Sequence, residues 1–155
     1  MKTRISIFPK LLFIFLFFTL LCSCKEVTMA NQKISFTHLQ NVNLQSEVIP
    51  QQKIVFADKK SWNKFWEQFG IGNIPEVDFA HNMIAAIFLG QKPNLGYGVE
   101  IINFEKKHNK LLIRFVEYLP NPQFDYPAAI GFPYDIVIFT RTDGEILFEG
   151  VKTVK

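Results

Sequence analysis

Two thiols, three imidazoles and a scatter of carboxylates are the groups in this 155-residue chain with chemistry to offer, and their spacing restricts what that chemistry can be. Both cysteines, Cys22 and Cys24, fall at the end of an apolar run near the N-terminus. The rest of the chain therefore has no disulfide, no Cys-based metal site and no cysteine nucleophile. His38, His81 and His108 show neither the HxH nor the HxxxH spacing that would put two ring nitrogens on one face of a strand or helix. No metal site and no cofactor is expected. Asp78, Asp125, Asp135 and Asp143 sit in turn-like stretches and at strand starts, where Asp bends or caps backbone, and nothing pairs them as a general acid and base. GxSxG, the P-loop and GxGxxG are all missing. The residues argue against an enzyme.

The cysteines have a different chemistry open to them. Lys2, Arg4 and Lys10, with no acid among them, precede an uncharged apolar run over residues 11–22, the layout of a secretion signal. A bilayer-spanning helix needs about 20 apolar residues, and this run, blocked by Lys10 and Lys25, is too short to span. It ends in Leu21-Cys22-Ser23-Cys24, which resembles the bacterial lipobox, where a small residue precedes the cysteine that is thioether-linked to diacylglycerol before cleavage. The resemblance implies that residues 1–23 are removed and that Cys24 carries the lipid. Each buried acyl methylene contributes about 0.8 kcal/mol, so two or three chains anchor stably. An ordinary signal with two incidental cysteines is the competing reading. Lys25, rather than the aspartate associated with inner-membrane retention, favours the outer membrane if the source has one.

Removing the signal removes three of the 17 basic residues and none of the 14 acidic ones, which leaves a formal charge of zero. The remaining lysines read as solvated surface, so no nucleic-acid partner is expected. Residues 24–32 are small or polar and read as a tether; residues 33–155 form one domain, rich enough in Phe, Ile, Leu and Val to fold without staples.

Alternation over residues 34–39 and a β-like run over 52–56 predict two strands. Trp62, Phe65, Trp66 and Phe69 lie at i, i+3, i+4 and i+7, which predicts a helix with one aromatic face, Ser61 as its N-cap and Gly70 as its stop. Such a stripe faces a core more often than a ligand. The unbroken apolar run 83–89 predicts a central strand covered on both sides. Residues 97–104 and 111–117 read as an antiparallel hairpin about Lys107-His108-Asn109, and 134–140 with 145–148 as a second hairpin through Asp143-Gly144. The expected fold is α+β: a mostly antiparallel sheet of about six strands packed with one aromatic-faced helix. A β-sandwich with the helix at one end is the alternative.

Two loops stand out. Gly90-Gln91-Lys92-Pro93-Asn94-Leu95-Gly96-Tyr97-Gly98 combines three glycines with a proline, and reads either as a shaped β-connection or as a binding loop. Residues 120–133 carry four prolines with Phe124, Tyr126 and Phe132, a composition barred from a central strand, and a loop this long is usually functional or a crossover.

The chain resembles the family of the C-terminal domain named for PrcB, the lipoprotein subunit of a bacterial surface protease complex. The matching residues are Trp62-Asn63-Lys64-Phe65-Trp66, Val77-Asp78-Phe79, Ile84-Ala85-Ala86-Ile87-Phe88-Leu89-Gly90, Lys92-Pro93-Asn94-Leu95-Gly96-Tyr97-Gly98-Val99-Glu100-Ile101 and Phe132-Pro133-Tyr134, and the likeness covers about residues 33–148. Where the family loop commonly reads Thr-Gly-Gly-Tyr, Asn94 and Leu95 stand here before Gly96 and Tyr97. Pro93, Gly96 and Tyr97 also match the Pro-Thr-Thr-Gly-Tyr loop by which chagasin-like inhibitors enter cysteine-protease clefts. The resemblance implies a noncatalytic envelope lipoprotein that binds a protein partner, such as a protease it stabilises, recruits or restrains. Pro93, Gly96, Tyr97, Phe124 and Tyr126 are the candidate partner-binding residues. The alternative is a small-ligand or glycan carrier in which Tyr97, Phe124, Tyr126 and Phe132 line an apolar cleft.

Overall fold

A computed structural model describes residues 32–40 and 42–155. The signal, Cys24 and nearly all of the expected tether lie outside the described residues. In chain order the elements are β1 (Gln32–Lys33), β2 (Phe36–His38), a 3-10 turn (Ser46–Val48), β3 (Gln52–Phe56), α1 (Lys59–Phe69), β4 (Asn82–Phe88), β5 (Gly98–Lys107), β6 (Lys110–Leu119), β7 (Tyr134–Thr140) and β8 (Glu145–Val154).

A strand that is apolar at every position needs cover on both faces. Along β4, Met83, Ala85 and Ile87 face one way and Ile84, Ala86 and Phe88 the other, and none is more than 5% exposed. Its sheet, in the order β2-β7-β4-β3, is the middle layer of three. On one side lies a second four-stranded sheet, β1-β5-β6-β8. The two close over Phe104, Leu111, Ile113, Phe115, Val137 and Phe139, with the Phe104 and Phe139 rings 4.7 Å apart. On the other side lies α1, whose Trp62, Phe65 and Trp66 pack on Phe56, Ile84, Phe88 and Ile136. The expected α+β fold, mostly antiparallel with one aromatic-faced helix, holds among the described residues. Its eight strands are divided between two sheets, and the helix covers a face of the inner one.

The helix begins earlier than its sequence suggests. Asp58, not Ser61, is the N-cap: its Oδ1 accepts the Ser61 N–H at 2.8 Å while the Ser61 hydroxyl donates back to the Asp58 carbonyl at 2.9 Å. Asp58 stands three residues ahead of the donor it satisfies, so the helix gains a turn before the aromatic stripe. At the other end the Trp66 ring lies over Gly70 so closely that a Cβ there would collide with it. The indole N–H groups of Trp62 and Trp66 donate to the Pro75 and Gly72 carbonyls, at 3.2 and 3.1 Å, and hold the following loop against the helix.

Three connections bear on the sheets. The strand expected over 34–39 changes sheet midway: Ile34 N–H donates to Phe104 O in the outer sheet, and Ser35 O accepts from Thr140 N–H in the inner one. The β5–β6 hairpin forms as expected, with His108 at φ 55 in its turn. The second expected hairpin does not form. β7 already has β2 on one edge and β4 on the other, so no edge is left for β8. The chain crosses to the outer sheet instead, where Gly144, at φ 114, lies against the Asn109 carbonyl and β8 runs parallel to β6.

One carboxylate ties the layers together. Asp135, on the face of β7 that looks at the outer sheet, accepts the Ile101 N–H through Oδ2 at 2.6 Å, at the bulge that interrupts β5. Its Oδ1 accepts His38 Nδ1–H from β2 at 2.9 Å. A carboxylate can only accept, so the bond fixes the proton on Nδ1 of His38.

Trp62→Ala should lower the unfolding free energy by about 3–5 kcal/mol, the usual cost of emptying a buried indole site, as read from urea denaturation. A second expectation concerns pH. The Ser61 N–H is the main cause holding the Asp58 carboxyl below its usual range. A depressed folded-state value stabilises above the unfolded pKa, and that contribution disappears as pH falls through the folded one. Asp58→Ala should therefore melt below the parent at neutral pH, and the gap should close once the pH drops beneath the carboxylate range.

Candidate protein-binding surface

The two loops singled out by composition are joined in the structure. Beyond β4, Leu89 N–H donates to Pro133 O at 2.9 Å, and Gly90 takes a φ of 65, a conformation that costs glycine little. Lys92 and Gly131 then exchange two backbone bonds, Lys92 N–H to Gly131 O at 2.8 Å and Gly131 N–H to Lys92 O at 3.0 Å. This short antiparallel bridge pins the first loop to the end of the second.

Each loop is also wound on itself. Asn94 Oδ1 accepts the Gly96 N–H at 2.9 Å, which closes a turn of the kind Asn side chains make. Gly96 is buried: a Cβ there would sit 2.6 Å from Pro120 and 2.8 Å from the Tyr126 ring. Asn121 organises the second loop, its side chain accepting from Gln123 N–H and its carbonyl from Phe124 N–H, while its own N–H donates to the Tyr126 hydroxyl oxygen. Gly96 and Tyr126, both candidates for partner contact, are thus the packing seam between the loops. Pro93 and Phe124 point outward, and Tyr97 is half-buried with the Lys92 ammonium 5.6 Å from its ring centre.

Two apolar side chains that composition did not single out share this surface. Leu95 and Ile130 are 54% and 57% exposed, beside Phe124 at 63%. The signal was present in the sequence as isolated large aliphatics inside Gly- and Pro-rich loops, where no strand or helix period could bury them. None of Tyr97, Phe124, Tyr126 and Phe132 lines any of four well-formed clefts of the described residues.

The ionisable groups are arranged for structure. His81 Nδ1–H donates to Asp78 Oδ2 at 2.7 Å on an exposed turn, and that bond is the main cause of the low Asp78 carboxyl pKa. His38 serves the Asp135 link and His108 the β5–β6 turn, so the three imidazoles stay apart. No group of three His, Cys, Asp or Glu residues able to hold a metal gathers among the described residues. One polar cluster escaped sequence reasoning: Glu117, its side chain 11% exposed, lies 3.6 Å from both Lys92 Nζ and Lys152 Nζ. Alternation along β6 predicts an inward residue at 117, but nothing local says that two lysines from distant segments meet it.

Gly96→Ala should push Pro120 and Tyr126 aside and open the bridge. Hydrogen exchange at the Lys92 and Gly131 amides is expected to accelerate about tenfold or more, with β4 amides unchanged, as for a local opening.

No family model, no curated protein and no solved structure matches this chain.

Proposed function

We propose that the chain is a noncatalytic envelope lipoprotein, anchored through Cys24 and related to the PrcB-like domains, whose paired loops bind a protein partner such as a protease that it stabilises, recruits or restrains. One observation carries this reading. The two Pro-rich loops are bridged through Lys92 and Gly131, and together they expose Leu95, Phe124 and Ile130. Large exposed apolar side chains on pre-shaped loops are a common mark of a protein-binding surface. The bridge and the Asn94 and Asn121 turns fix the backbone beforehand, so association loses less conformational entropy there than a loose loop would. A small-ligand or glycan carrier would need the same rings to enclose a cavity, and none of them lines any of four well-formed clefts of the described residues.

Two experiments test the proposal. Affinity capture of the full chain from detergent-solubilised envelope, followed by mass spectrometry, should recover a stoichiometric protein. The double variant Leu95→Ser with Phe124→Ser should weaken that capture by about tenfold or more, as loss of apolar anchors does, with the melting temperature preserved. Recovery of no stoichiometric protein, or capture indifferent to the variant, would overturn the assignment. For the anchor, metabolic labelling with a fatty-acid analogue should mark the parent and leave Cys24→Ser unlabelled; equal labelling of both would rule out lipidation at that cysteine.

A further inference from the structure

The sandwich is laced on one side, where the chain passes from β1 to β2, and open on the other, where β3 and β8 are the edge strands of their sheets. The geometry of the open side points to a second binding site: we propose that β8 accepts an extended peptide segment of a partner protein, added as a further strand and carrying an acidic side chain. This surface uses none of Leu95, Phe124 and Ile130, although Lys92 of the first loop reaches its border.

The backbone comes first. Glu145 N–H donates to Asn109 O at 2.9 Å and Lys155 N–H to Leu119 O at 3.0 Å, so odd-numbered residues bond to β6. Successive residues of a strand direct their N–H and C=O to opposite edges. The even-numbered residues Ile146, Phe148, Gly150, Lys152 and Val154 therefore hold theirs outward, and among the described residues no strand pairs with them. An edge of this length offers a ready template for a further strand.

Side chains define what would fit. Gly150 sits inside β8 with the Phe115 ring packed so closely against it that a Cβ would collide. A glycine inside a strand often marks a place where another backbone comes close. Alongside, a cleft of about 600 Å³ runs between β8 and β3, with Ile87, Leu89 and Phe115 among its lining residues. Its charged lining residues are Lys53, Lys152 and Glu117, one positive charge in excess. Lys53 holds its ammonium 4.8 Å from the Phe115 ring centre, and Lys92 and Lys152 share the single carboxylate of Glu117 at 3.6 Å each, too long for direct hydrogen bonds. Two ammonium groups beside one carboxylate, with a third over the Phe115 ring, leave donors for another. The matching occupant is an extended segment that pairs with the outward groups of β8, places an apolar side chain in the cleft and sets an Asp or Glu among the lysines.

The test uses the full chain in detergent and a phage-displayed library of random linear peptides. Selected peptides should be enriched in Asp or Glu among β-branched residues. They should slow exchange of the Gly150, Lys152 and Val154 amides and leave those of Glu149 and Val151 as they were. Lys53→Glu with Lys152→Glu should cut their affinity about tenfold or more, as reversal of charge at a contact does. Val154→Pro, which removes an outward N–H and no bond to β6, should weaken them independently of charge. Leu95→Ser with Phe124→Ser should leave peptide binding intact, so this site and the paired loops can fail separately. Peptides with no acidic preference, affinity unchanged by both β8-side variants, or outward amides already protected in a dimer of this chain would each overturn the proposal.

Discussion

Everything in this molecule is arranged around one strand, β4, that touches water on neither face. β4 and the inward positions of β7 are apolar on both sides because one side receives the outer sheet and the other the helix. That constraint explains the aromatic stripe: Ala86 at the centre of the helix-facing side is small, and the rings of Trp62, Phe65 and Trp66 supply volume that Ala86 does not. It also explains why the carboxylate on the inter-sheet side of β7 is fully employed. Asp135 could not sit beside the inter-sheet core unpaired, and both of its oxygens are used, one by the backbone of the opposite sheet and one by His38.

Legibility in the sequence followed the range of the forces involved. The helix, the double-sided β4 and the β5–β6 hairpin were readable because each depends on a period or a turn confined to a short stretch. The helix start was less so, since Asp58 and Ser61 are both good caps and only the backbone shows which one is used. The fate of Asp143-Gly144 was not readable at all. The dipeptide signals a turn, but whether the next strand returns to β7 depends on whether β7 has a free edge, and β2, almost a hundred residues upstream, had taken it. The change of sheet at Ile34 and Ser35 is hidden for the same reason.

The candidate surface divides in the same way. Glycine and proline announced both loops, and Phe124 stood out within its stretch. Their union did not, because the Lys92–Gly131 bridge is made wholly by backbone and leaves no side-chain signature. Gly96 and Tyr126 drew notice for the right loops but for a different task, since they hold the surface together from beneath. Packing residues and contact residues look alike in a loop until burial tells them apart.

The parallel pairing of β8 with β6 has a kinetic side. β5 and β6 meet across a two-residue turn, a closure that fluctuating chains make in microseconds, whereas β8 can reach β6 only after the chain has left that sheet, contributed β7 to the other and come back. Such non-local pairing raises contact order, and its entropy must be given up before any bond of the ladder rewards it. Until that closure, the backbone N–H and C=O groups along the edge of β6 that β8 will occupy stay unpaired. The slow step of folding and the interval of greatest exposure to aggregation thus coincide at one strand.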